Sequence, residues 1–144
     1  MFDQHRVLFR FKKLGNLIHR EMLKIAEDSG DNKTTRMHYW IINYIMKNHG
    51  GNITQKELEQ HFNVRKPTIS RILQLMEKNG LITRESLETD ARAKRIFLTD
   101  KAKEVHETRH NEMMALEQKA IENISKEDLN VFCKTIDQMI ENIS

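Results

Sequence analysis

Arg71 carries the most specific chemistry in this 144-residue chain, because its planar guanidinium can donate two parallel hydrogen bonds to O6 and N7 of a guanine edge. It closes the run Val64-Arg-Lys-Pro-Thr-Ile-Ser-Arg71, and Gln74 and Lys78 follow it. Thr68 and Ser70 can meet bases or phosphates. Arg65 and Lys66 suit phosphate better, since they stand beside a helix start whose free N–H groups also attract anions. A second basic group, Arg92, Lys94 and Arg95, lies in Glu88-Thr-Asp-Ala-Arg-Ala-Lys-Arg95. On a narrow projection, an arginine from this group can enter the minor groove, where narrow A·T tracts concentrate negative potential. Asp90 repels nucleic acid by itself and is read as the carboxylate that orients Arg92 or a neighbouring arginine.

The first group needs a helix to present it. Pro67 fits a first helical turn, where its missing N–H costs nothing, and Gly80 fits a C-terminal cap, so a helix is expected over about 66–79. Ile69, Ile72, Leu73 and Met76 fall within about 100° of arc on it, which leaves Pro67, Arg71, Gln74 and Lys78 centred on the opposite side. Upstream, Thr54 followed by Glu57 makes a capping box for a short helix over about 55–61, and Asn63 with Val64 forms a tight connection. Thr54 and Gln55, at the start of that helix, join the residues expected to face DNA.

The second group needs a hairpin. Residues 81–86 and 95–98 are short β-compatible runs, and the polar stretch 87–94 between them reads as an exposed loop. Two helices joined tightly and followed by such a wing make a winged helix-turn-helix over residues 54–99, whose second helix enters the major groove.

Helices flank this unit. Apolar residues at Val7, Phe11, Leu14, Ile18, Met22 and Ile25 mark one face of a helix over about 4–28. The segment 36–48 is apolar nearly all round, as in a helix buried between others, and Gly50 and Gly51 stop it. Thr99 caps a long helix of about 100–123, and a last helix starts after Ser125 and aligns Leu129, Phe132, Ile136, Met139 and Ile143. The expected class is mostly α with a small β-hairpin wing, in one domain.

Net charge is only +3, but it is unevenly placed. Residues 1–95 hold 18 Lys/Arg against 11 Asp/Glu, while residues 96–144 hold 6 against 10. A basic front with an acidic tail can lay a cationic surface on phosphate. No Gly-rich phosphate loop, nucleophile motif or complete metal set is present, which argues against an enzyme, and no cofactor is expected. Charges interrupt every apolar stretch short of the roughly 18 residues of a membrane span, and the lone Cys133 makes no internal disulfide, so the reading is cytoplasmic.

Few residues speak to sensing. His106 and His110 lie four apart on a helix, a spacing able to turn two imidazoles toward one metal; no third ligand is identifiable, though His38, Glu107 or His19 could approach in the fold, and both are read as surface or pocket histidines. Cys133, beside Phe132 and in line with Leu129, Ile136 and Ile140, is expected to be a buried packing thiol. Tyr39, Trp40 and Tyr44 are expected mainly to pack, with an aromatic pocket as the alternative.

The runs Ile53-Thr-Gln-Lys-Glu-Leu58, Val64-Arg-Lys-Pro-Thr-Ile-Ser-Arg71, Leu75-Met-Glu-Lys-Asn-Gly-Leu-Ile82 and Asp90-Ala-Arg-Ala-Lys-Arg-Ile-Phe-Leu-Thr99 together resemble the MarR family. The wing and the Pro-containing helix look most like its SlyA-type members. The last run follows the family pattern Asp-x-Arg-x-x-x-apolar-x-Leu-Thr, with Ile96 for the usual valine, while Arg65 stands where many members carry a serine cap. The resemblance implies a homodimer that binds double-stranded DNA at a pseudo-palindromic operator, commonly as a repressor released by a small-molecule effector. It implies dimerisation helices in residues 1–34 and 100–144 and a DNA-binding lobe at 35–99. Arg71 would read a base, Arg92 would probe the minor groove and Asp90 would be its partner in the wing. A winged-helix module whose basic face meets an acidic protein remains the alternative.

Overall fold

A computed structural model of the chain describes residues 6–28, 36–87 and 90–144; for Arg36, Leu87 and residues 90–93 it describes the backbone. Among the described residues nine elements follow one another: α1 (Val7–Asp28), α2 (Arg36–Lys47), β1 (Gly51–Thr54), α3 (Gln55–Phe62), α4 (Lys66–Lys78), β2 (Ile82–Leu87), β3 (Asp90–Leu98), α5 (Asp100–Ala120) and α6 (Lys126–Ile143).

The helix boundaries are set by caps at short range. Thr54 Oγ1 accepts from the Glu57 amide at 3.2 Å, while the Thr54 amide donates to Glu57 Oε2 at 2.6 Å, so both halves of the expected capping box are present. Asn63 ends α3 in the left-handed region at φ 50°, a conformation in which asparagine is tolerated. Pro67 occupies the first turn of α4. That helix closes with Gly80 at φ 73°, whose amide donates to Glu77 O while the Leu81 amide donates to Met76 O. Thr99 caps α5 by accepting from the Ala102 amide and donates to Gly80 O at 2.6 Å, which ties the end of α4 to the start of α5.

The β structure is larger than the expected hairpin. The strands form an antiparallel sheet in the order β1-β3-β2. Strand β1 falls where only a helix stop and a cap were expected. It pairs Ile53 with Ile96 and Thr54 with Arg95. Gly51 is required there, because a Cβ would run into the ring of Phe97. Strand β3 starts at Asp90, so Lys94 and Arg95 stand in the ladder opposite Ser86 and Glu85 rather than on an exposed loop. Backbone hydrogen bonds hold this polar stretch extended whatever its side chains.

The core lies between α2, α3, α4, the sheet and the first turns of α5. Ile41, Ile42, Ile45, Leu58, Ile69, Leu73, Met76 and Ala102 are wholly buried in it. Helix α2 is buried less uniformly than expected, since Trp40 remains 36% exposed. Helix α5 ends at Ala120, short of the expected 123, where Asn123 turns the chain at φ 62°. Cys133 departs from expectation too. It is exposed, because α6 has no buried residue and its apolar neighbours Phe132 and Ile140 also face outward.

Candidate nucleic-acid interface

Helix α4 has the two faces its sequence requires. Ile69, Leu73 and Met76 are buried and Ile72 is half-buried, while Arg65, Lys66, Pro67, Thr68, Arg71, Gln74 and Lys78 are exposed. Ser70 is half-buried, at the margin. The polar side chains thus form one outward strip along the helix, from Arg65 before its first turn to Lys78 at its last residue. Arg65 occupies the N-cap position without a side-chain cap hydrogen bond. Its guanidinium is exposed, and the first-turn N–H groups keep their partial positive charge for an incoming anion.

A cleft of about 450 Å³ lies beside this strip, between the starts of α3 and α4 and the wing. Thr54, Gln55, Lys66 and Lys94, all expected to face DNA, line it together. Two cations that sequence reasoning did not single out, Lys56 and Arg84, line it as well. Arg84 shares a strand face with the buried Ile82, two residues before it, and lies opposite Ile96. A cation on the apolar stripe of a strand was therefore readable from the alternation. Its Nε lies 3.3 Å from Glu77 Oε2. Arg95 is half-buried, opposite Thr54 and Glu85. It is drawn away from the tip on which it was expected. The Asp90–Arg92 pairing falls on side chains outside those described; the backbone places both residues at the start of β3.

A second polar cluster joins α2 to α5. His106 stacks on Tyr39 with ring centroids 6.1 Å apart and on His110 at 5.0 Å, and its Nε2–H donates to Asn43 Oδ1 at 3.2 Å. Burial, reinforced by His110, holds the His106 pKa below the usual histidine value, and burial raises that of Tyr39. Sequence reasoning missed the burial of His38 and Arg109 nearby in the sequence of these two helices. The His106–His110 pair does come together, but among the described residues no group of three or more His, Cys, Asp or Glu is placed to hold a metal. No described helix is long and apolar enough to cross a membrane.

Two helices joined by a tight turn, a three-stranded wing and an exposed polar strip on the second helix define a winged helix-turn-helix protein. Comparison with known proteins narrows the class. The MarR family model matches residues 33–93. A helix-turn-helix-type transcriptional regulator of Bacillus subtilis (strain 168), YwoH, is 31% identical over 93 residues. That stretch spans 65% of this chain and 66% of YwoH, just under two thirds of it. The transcription regulator MarR of Oenococcus oeni PSU-1 is 26% identical, with a TM-score of 0.78 over 93% of this chain and 98% of that one. MepR of S. aureus, solved as a DNA complex, has the same fold with a TM-score of 0.85 over 99% of this chain and all of its own, at 17% identity. In its reading head and in its fold the chain is similar to the MarR family of transcription regulators.

Proposed function

We propose that this protein is a sequence-specific, DNA-binding transcriptional regulator that acts as a homodimer, with the exposed strip of α4 in the major groove. The observation that carries the reading is the division of α4. A buried anchor face holds the helix to the lobe, and Thr68, Arg71 and Gln74 are exposed on the other side, which supports a groove-reading role for them. Arg71 reads a guanine, Arg65 and Lys66 hold phosphate and set the register, and Arg92 reaches the minor groove from the wing with Asp90 as its partner. Residues 35–99 form the reading lobe, and α1, α5 and α6 form the dimerisation region.

The dimer has physical support in the apolar faces that α1 and α6 leave uncovered in the single chain, with Leu8, Phe9, Val131 and Ile143 all more than 60% exposed. Two copies related by a two-fold axis match a pseudo-palindromic operator. Repression relieved by a small effector is the regulatory reading. An effector acts by favouring a spacing of the two recognition helices that misses successive major grooves, which requires that it bind the two states with different affinity.

The test is a binding titration of parent and Arg71→Ala protein against a duplex taken from the promoter of its own gene and against random duplex, at matched salt. Arg71→Ala is expected to lose about 1–3 kcal/mol and to relax preference at one base pair, as for a bidentate contact. Arg92→Ala should weaken binding most where A·T-rich sequence flanks the half-sites. Equal weak binding of the parent to both duplexes would instead favour an acidic protein as the partner of the basic face.

A further inference from the structure

The cleft between α3, α4 and the wing is lined by four cations, Lys56, Lys66, Arg84 and Lys94, and by one carboxylate, Glu59. The three lysines are exposed and form its rim, while Arg84, with a side chain only 19% exposed, lies at its floor beside the buried Ile96. Withdrawing a guanidinium from water is costly unless it is paired. Protein partners match this one only in part. Glu77 Oε2, 3.3 Å from Nε, is half exposed and makes no hydrogen bond with it, and Nη2 is sealed from solvent with no acceptor among the described residues. Thr54 spends its cap on the Glu57 amide, so helix geometry leaves the amides of Gln55 and Lys56 without an intrahelical acceptor at the same cleft.

We infer that this cleft seats a phosphodiester of the DNA backbone, with Lys56 and Lys94 as its clamps and Arg84 as the positive charge beneath it. The assignment rests on the functional reading above and extends it to Lys56 and Arg84. Lys66, at the first position of α4, belongs both to the cleft and to the groove-reading strip. A phosphate held there therefore fixes how deeply the helix enters the groove and the rotation at which Arg71 meets its base. Arg84 and Lys56 are positioning residues: they carry affinity and its salt dependence but no sequence information.

Salt dependence separates this role from base reading, because each phosphate contact contributes about 0.9 to the slope of log K against log salt. The probes are a duplex enriched by the parent protein from random DNA and a random duplex of equal length, each titrated at several salt concentrations. Lys56→Ala and Arg84→Ala are each expected to flatten the slope by about 1 per lost contact and to weaken both duplexes by the same factor, leaving the base preference intact. Lys126→Ala, the same charge loss at the start of α6, should leave the slope unchanged. Lys56 is exposed, so its variant tests the idea even if Arg84→Ala fails to fold. Parental slopes in both variants, or a loss confined to the enriched duplex, would overturn the cleft assignment while a parent that discriminates sequence keeps the functional reading. A parent without salt-dependent binding to either duplex would overturn both.

Discussion

The reading lobe and the terminal helices bury their apolar residues in different ways. In the lobe, Ile41, Ile42, Ile45, Leu58, Ile69, Leu73 and Met76 meet one another within the chain and reach zero exposure. In the terminal region, α1 and α6 are also amphipathic, yet α6 has no buried residue and Phe132 and Ile140 are each 47% exposed. A lobe that closes its own core can hold α4 rigidly enough to present Arg71. On the proposed dimer, a terminal region left open completes its core against a second copy, and its stability then depends on protein concentration. In the proposed dimer, precision of reading would reside in intrachain packing and the spacing of the two readers in the interface.

The largest blow to this contrast is Leu73→Ala, which empties a fully buried site and is expected to cost about 2–5 kcal/mol by urea unfolding. A loss below about 1 kcal/mol would show that the lobe is not packed as described. Phe132→Arg puts a charge on the outward face of α6, and we expect it to weaken dimerisation by on the order of 2–3 kcal/mol, as for a central interface residue. Sedimentation should then show monomer at concentrations where the parent is dimeric, with the unfolding of the lobe retained. Thr54→Ala removes a cap whose geometry is complete and should cost about 0.5–2 kcal/mol, with Thr54→Ser restoring most of it.

The smallest effect concerns the junction between the two regions. The His106 pKa is lowered in the folded state, chiefly by burial, so the folded protein binds fewer protons there than the unfolded chain. Stability from this site is complete above the unfolded value and is lost as pH falls through the lowered folded one. The parent should therefore lose more thermal stability than His106→Gln between pH 7.5 and pH 5.5. Identical pH profiles would remove His106 from the coupling between lobe and terminal helices.

What the sequence made legible follows the range of the interactions. The capping box at Thr54, the proline at the start of α4 and the buried stripe Ile69, Leu73 and Met76 are decided within a few residues, and each was readable. Strand β1 was not, because only Ile53 of its four residues is apolar and its partner β3 lies some forty residues away. The extension of β3 back to Asp90 depends on a backbone ladder that side-chain patterning does not report, which moved Lys94 from a wing tip to the edge of a cleft. The burial expected of Cys133 came from an apolar stripe that is real but only half covered within the chain, with Ile136 half-buried and Cys133 and Ile140 exposed. A stripe reveals that a face will be covered, not whether the cover is intrachain.

The central claim, that two such lobes read DNA together, is tested most directly by selecting bound duplexes from a random pool with the parent protein and sequencing them. The account predicts enrichment of an inverted repeat whose half-site centres lie about one helical turn, roughly 10–10.5 base pairs, or a multiple of it, apart. A bound fraction with no enriched sequence, or a single unrepeated site, would contradict it.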